Sequence, residues 1–465
     1  MWGPLSGDIM FESRGDIRAA RIRRGIHDNS NTATTVRTRT AKAPGTTFGG
    51  AVWIVIIAIV PIHRLLMVYV TAQLTYLILA VVVMCALLGR MRVPSAAWVW
   101  VMALISIPLA SIIAGTSSSV LQSAYVGIKL GLLVGLTPFI IRYYSLERQS
   151  FTRYALTGFL AVQSMSAAAG LAQLAGASVA GLRANAGRAN GLAIHPNVLG
   201  IMAAIAILVS FVLIHRTTGR TRLLAWGVII LNVAALIGSG SLSSMLSLAA
   251  GAVVLLVAMR ATTRTVIRTC AAVVMCSALA LTLGYNPSAA IDPIEGRVNT
   301  VLGLSNDGVA SLSIRESTYE FAIDSIRSDP LIGVGMDSMH EGTFNGVTVV
   351  HNYLLRAWYQ GGLLLFVTFL IVTIAMLGLA CRSMISTRDG LQAAVITAVI
   401  VFGLTSHSTT SSSTGCRYYS RSPSRTDPQC KAQHPVGVSP RGRPEQSKNL
   451  RKKSDHERIA PCLRP

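Results

Sequence analysis

The apolar runs of this 465-residue chain contain no aspartate or glutamate. Of the 19 acidic residues, four precede Thr46, four follow Ser406 and nine lie between Asn286 and Arg356; Glu147 and Asp389 are the other two. Proton- and sodium-coupled carriers commonly use carboxylates within the membrane, so this gap argues against ion-coupled transport. Charged residues make up 13% of the chain, about half the ~25% of a soluble globular protein. The seven cysteines include none between Asn286 and Arg356, and they show neither a disulfide framework nor zinc-ligand spacing. The basic arm before Thr46 has no aromatic interleaving, so the net charge of +22 is not read as nucleic-acid binding.

What the chain does have is apolar sequence, 52% of its residues, with a mean hydropathy of +0.54. In lipid every backbone polar group must be satisfied internally, so only helices and closed barrels can span. The runs here are continuous rather than alternating, which selects helices of about 20 residues each. The expected fold is all-α, a polytopic transmembrane bundle of eleven spans at 46–62, 65–88, 94–114, 120–140, 154–175, 196–214, 223–239, 243–259, 269–285, 358–380 and 391–405. Residues 1–45 read as a disordered basic arm, 46–405 as the membrane domain, and 406–465 as a disordered basic tail. With the N-terminus cytoplasmic, every inner short loop carries two or three arginines, for example Arg142, Arg148 and Arg153, or Arg260, Arg264 and Arg268, whereas the outer short loops carry only Arg64, Arg183 and Arg188. The long polar loop, 286–357, then faces outward and carries short helices. An eleventh span would set the basic tail outside, against that pattern. The tail therefore reads as an altered reading frame, and an intact form would have twelve spans.

Several residues stand out against this platform. Lys129 lies within a span, where an ammonium is costly, so it faces the bundle interior or a lipid phosphate, or else snorkels to the interface. Arg183 and Arg188 share one short outer loop, GLRANAGRANGLAIHPNVLG, where basic residues are disfavoured. Its glycines allow close backbone approach to a ligand. Pro196 or Asn197 begins the next helix, whose positive dipole end attracts anions. A guanidinium fork suits a diphosphate, although lipid headgroups or loop acids are alternative partners. His195, just before that helix start, reads first as a capping or packing group.

In the long loop, Ser313 to Glu316 has the form of a capping box, predicting a helix over 314–327 with Tyr319, Ala322, Ile323 and Ile326 on its apolar face. Asp329-Pro330 stops it. Arg315 would project from the first turn, a poor place for a cation, so it awaits an external anion or a neighbouring acid. The LIGVGMDS segment that follows predicts a tight turn against the membrane surface. His351 stands at the mouth of the next span, able to accept a proton near neutral pH, and Asn352 can cap the helix after it.

These residues resemble a known family. The segment R188-x-N-G-x-x-x-H-P-N-x-L-G resembles the corresponding loop of the O-antigen ligase and O-antigen polymerase superfamily. The pattern R315-x-x-x-Y-x-x-A, D-P-L-I-G-V-G, H351-N-Y-L-L and G-G-L-L resembles that family's signature domain. The resemblance covers about residues 50–405. It implies a bacterial inner-membrane glycosyltransferase that moves a glycan from a polyprenyl-diphosphate carrier to a glycan or glycolipid acceptor outside the membrane, with no metal, nucleotide or other cofactor. Arg188 and Arg315 would hold the diphosphate, and His351 would activate the acceptor hydroxyl. Arg183 and Lys129 are further candidates for the diphosphate, with Asn352, His195 and Asn197 in support. Two departures count against activity. Leu242 stands where many members carry the arginine of a Ser-x-Ser-Arg segment, and the basic tail replaces a last span. The alternatives are a transporter or flippase of lipid-linked glycans, or an inactive relative.

Overall fold

The computed structural model describes residues 47–70, 73–114, 120–185, 187–193, 195–259, 309–336, 350, 352–387 and 390–405, with the backbone alone for 68, 149, 309–316, 386 and 387. The basic arm, the ninth expected span at 269–285, most of the long loop, His351 and the tail lie outside these residues. The chain divides into two units, Met1–Gly415 and Cys416–Pro465, and every described residue belongs to the first.

All regular structure among the described residues is helical, apart from two isolated bridges, Val179–Leu182 and Asn185–Arg188. The helices are α1 (Phe48–Ala58), α2 (His63–Tyr69), α3 (Leu74–Leu87), α4 (Ala97–Ile113), α5 (Val120–Glu147), α6 (Gln149–Leu174), α7 (Pro196–Arg216), α8 (Arg220–Ser239), α9 (Leu242–Ala258), α10 (Val309–Ser328), α11 (Tyr353–Thr387) and α12 (Gly390–Thr405). Ten of the eleven expected spans fall on these helices. Among the described residues, five helices are long and apolar enough to cross a membrane, and a sixth crossing is available if the pair Phe48–Ala58 and Val60–Met67, bent by 49°, acts as one. The first two expected spans need redrawing. Pro61 sits in a 3-10 turn, Val60–Ile62, that joins α1 to α2, so Arg64 lies in a helix rather than in a loop.

The bundle is held by close approach as much as by bulk. Gly127, Gly131 and Gly135 recur every fourth residue on α5 and face Ser111, Pro108 and Leu104 of α4. Small residues at this spacing let two backbones approach in a membrane, where dispersion contacts rather than water drive helix association. A side chain at Gly131 would meet the Pro108 ring at 2.7 Å. Gly131→Leu is therefore expected to separate α4 from α5 and to cost about 1–3 kcal/mol. Gly227→Leu, where a β-carbon meets nothing within 4 Å, is the control, and thermal unfolding in detergent compares the two. At the centre of the other half, α7 buries residues on every face, including Leu199, Ala203, Ala206, Leu208 and Val212.

Helix α10 begins at Val309, earlier than the capping-box reading allows. Nothing in Val309-Ala-Ser-Leu breaks a helix, so Ser313 lies inside it and Arg315 in its second turn. Ala322 and Ile326 are buried against α11 with Tyr319 beside them, as expected, but Ile323 is 40% exposed. The helix ends as foreseen, with Asp329 Oδ1 accepting the Ile332 N–H at 3.3 Å.

The largest departure is in α11. The expected span 358–380 is part of a longer element that breaks at Gly361 (φ −120°, ψ 15°) and Gly362 (φ 65°, ψ −166°). Tyr353 Oη lies 2.6 Å from Thr373 Oγ1, whereas twenty residues of straight helix would separate them by about 30 Å. The Trp358 and Phe366 rings stack at 4.7 Å, and Tyr353 meets Phe369 edge-on. Residues 353–360 thus fold back along the remainder of their own helix.

The segment expected to turn against the membrane surface instead seals this break. Val334 and Gly335 donate their N–H groups to the Tyr359 and Gln360 carbonyls at 2.8 Å, and Leu363 N–H reaches the Leu331 carbonyl at 3.2 Å. Backbone groups opened by a break away from water need such partners. Hence the two glycine pairs, 333/335 and 361/362, are complementary parts of one joint.

Candidate functional site

The loop between α6 and α7 is built to hold its arginines. Val179 and Leu182 exchange both backbone hydrogen bonds around Ala180 (φ 51°) and Gly181 (φ 73°), the form of a type I′ turn. Asn185 and Arg188 close a second bridge of the same kind, so exposed Arg183 lies between two tight turns. Buried Gln173 of α6 pins the far side. Its amide oxygen accepts the Asn190 and Gly191 N–H groups at 3.1 and 2.9 Å, and its Nε2 donates to the Gly191 carbonyl. Ser166 Oγ takes the Leu192 N–H. Neither Gln173 nor Ser166 stands out in the sequence; the signal is their spacing of seven residues, about two turns, on one face of the end of α6 that meets the loop.

Arg188 bridges two helix ends. Its Nε donates to the Ser239 carbonyl at the end of α8, and one terminal nitrogen donates to Asn197 Oδ1 in the first turn of α7, both at 2.7 Å. A cation suits a helix C-terminus, where the carbonyls lack partners. Ser241 caps α9 through the Ser244 N–H, and Ser244 Oγ donates to the Asn197 carbonyl. The N-termini of α7 and α9 therefore meet beside the Arg188 guanidinium. Leu242, at the place where the resemblance leads one to expect an arginine, is the first residue of α9.

Pro196 is the first residue of α7 and His195 its N-cap, with Nδ1 accepting the Asn197 N–H at 3.2 Å. Accepting at Nδ1 leaves the proton of a neutral ring on Nε2. The capping reading of His195 thus has a geometric basis. His195→Ser, which can cap, is expected to keep both stability and activity, whereas His195→Ala loses about 1 kcal/mol. A thermal melt together with a transfer assay checks this. Equal loss of activity in both variants without loss of stability would give His195 a direct role instead.

The same end of the bundle receives α12 and α11. Ser243 Oγ donates to the Thr405 carbonyl at the end of α12, and the Tyr353 ring lies against Gly403. Asn352 Oδ1 accepts the Leu354 and Leu355 N–H groups at 3.0 and 3.1 Å, the cap expected of it. His351 is the residue before this cap, and its own placement, like the Arg315 side chain, lies outside what the structure describes. Lys129 sits on a different helix, α5, only 8% exposed, with its ammonium 5.2 Å from the Tyr125 ring centre. It is turned into the protein rather than snorkelling, in cation–π range of an aromatic.

The structure thus brings Arg188, His195 and Asn197 into one cluster and sets Asn352 on α11, which packs on α12 and is joined to that cluster through it. It also reveals Arg356, counted in the sequence merely as the last arginine of the long loop. Arg356 lies one turn after Asn352 on the folded-back helix, with Nε donating to buried Gln360 at 2.9 Å. Among the described residues, no group of three or more histidine, cysteine or acidic side chains could hold a metal ion.

Residues 227–370 match the family model for O-antigen ligase. The matched stretch runs from α8 through the joint at Gly361–Gly362 and includes Arg315, His351, Asn352 and Arg356. No curated protein matches the chain. Over residues 227–370 the chain is O-antigen ligase-like, and the resemblance to the O-antigen ligase and O-antigen polymerase superfamily stands on that stretch.

Proposed function

We propose that the protein transfers a glycan from a polyprenyl-diphosphate carrier to an acceptor hydroxyl at the outer face of a bacterial inner membrane. The observation that carries this reading is the convergence at one end of the bundle. Two helix N-termini and Arg188 form a cationic, donor-rich cluster, and α12, whose end is tied to Ser243 of α9, also receives Tyr353 at the start of the helix that follows His351. His351 takes the proton of the acceptor hydroxyl while that oxygen forms a bond to the anomeric carbon. The bond from the anomeric carbon to the phosphate oxygen breaks with inversion, and the carrier leaves as its diphosphate. Arginines and helix ends stabilise the charge that gathers on the leaving group. Arg188 and Arg315 are the first candidates for that task, with Arg183 and Lys129 behind them.

The test is reconstitution. Purified protein in nanodiscs, given a polyprenyl-diphosphate glycan and candidate acceptors, should release the carrier diphosphate and form a new glycoconjugate. Movement of the lipid-linked glycan across the bilayer with no new glycosidic bond would replace this reading with that of a flippase.

A further inference from the structure

The folded-back helix, residues 353–360, has partners on most of its surface. Trp358 stacks on the returning leg of α11, and Tyr353 meets it edge-on. Ala357 packs with Ala103 and Ile107 of α4, and Leu355 and Tyr359 pack with α10. The remaining stripe is Asn352, Arg356 and Gln360, spaced i, i+4 and i+8 and therefore on one face. Asn352 is committed to the helix cap. Gln360, only 4% exposed, accepts from Arg356 Nε. A guanidinium has five N–H donors, and this contact uses one. Among the described residues the single ion pair is Arg327–Asp324, so no described carboxylate neutralises Arg356. A half-buried arginine whose terminal nitrogens meet no carboxylate among the described residues matches an oxyanion that accepts two parallel hydrogen bonds.

The other cations of the site leave room for it. Arg188 directs two donors to Ser239 and Asn197, and position 242 is leucine. We propose that Arg356 binds the diphosphate of the carrier lipid, with Gln360 as the positioning residue that holds Nε and aims the fork. This rests on the transfer reading above and adds to it a binding residue and a residue that orients it.

The experiment measures the affinity of the full-length protein in nanodiscs for undecaprenyl diphosphate without a glycan, with inorganic diphosphate as a soluble competitor. Arg356→Met is expected to weaken binding about tenfold to a hundredfold, the usual range for losing a charge-assisted contact. Arg356→Lys keeps the charge but not the fork and should fall between. Gln360→Glu leaves the arginine in place and pairs it with a carboxylate, and it should weaken binding at least about tenfold with no loss of thermal stability. If Arg356→Met does not fold, the other two variants decide. Wild-type affinity in both Arg356→Lys and Gln360→Glu would overturn the proposal while leaving the transfer reading in place. Failure of inorganic diphosphate to compete for the wild-type site would also overturn it, because the contact would then not be to the diphosphate. No binding of undecaprenyl diphosphate by the wild type would remove both.

Discussion

Gly362→Ala is expected to disable the protein while most of the bundle stays folded. The native φ of 65° with ψ of −166° belongs to a region that only glycine enters readily. An added β-carbon would also collide with the Leu331 carbonyl oxygen, a backbone atom that cannot swing aside. Relief requires the joint to open, and opening it removes the Leu363 to Leu331 hydrogen bond and strains those from Val334 and Gly335. Backbone strain of about 1–3 kcal/mol, together with two or three hydrogen bonds at about 1 kcal/mol each, gives a loss of about 3–6 kcal/mol. That exceeds what most single substitutions do. The control is Gly378→Ala in the second leg of the same helix, where a β-carbon meets nothing within 4 Å. It should be neutral or stabilise by up to about 1 kcal/mol. Thermal unfolding in detergent separates the two, and equal midpoints would contradict the joint described here.

His351→Ala is expected to lower the rate of glycan transfer by about a hundredfold to ten-thousandfold, the span that a positioned general base contributes. Affinity for the carrier diphosphate should hardly change, because a proton acceptor for the acceptor hydroxyl does not bear on the leaving group. Arg188→Ala should behave differently. Its guanidinium ties the end of α8 to the start of α7, so removal lowers the unfolding temperature and the carrier affinity as well as the rate. Initial rates at saturating and at low donor, read beside melting curves, distinguish the two patterns. A His351→Ala variant with wild-type turnover would assign the base elsewhere.

The helices were legible because long apolar runs without acids leave a spanning chain few alternatives. The packed face of α10 was legible for a similar reason, since Ala322 and Ile326 recur at helical spacing and Asp329-Pro330 closes the helix. Its start was not, because Ser313 to Glu316 satisfies a capping pattern whether or not a helix has already begun. The fold-back was hidden because hydropathy reads straight through Gly361-Gly362: both legs are apolar, and paired glycines also occur in continuous spans. The break shows only in the folded chain, in the contacts of Tyr353 and Trp358 with the returning leg and in those from 331–335, nearly thirty residues away. Arg188 was visible as an oddity, but its structural partners, Ser239 and Asn197, come together only in the folded chain. Arg356 was missed for a simpler reason. It was counted with the loop, and the polar period of Asn352, Arg356 and Gln360 has meaning only once a helix begins at Tyr353.

The doubling-back of residues 353–360 also bears on how the chain is threaded. A leg that descends and returns adds no net passage from one side to the other, although a hydropathy plot merges it with the passage that follows. Reporters fused after Val350 and after Gly362 should thus register the same compartment, and a reporter after Thr387 the opposite one. A topology drawn by counting residues from Tyr353 would start that crossing about ten residues too early.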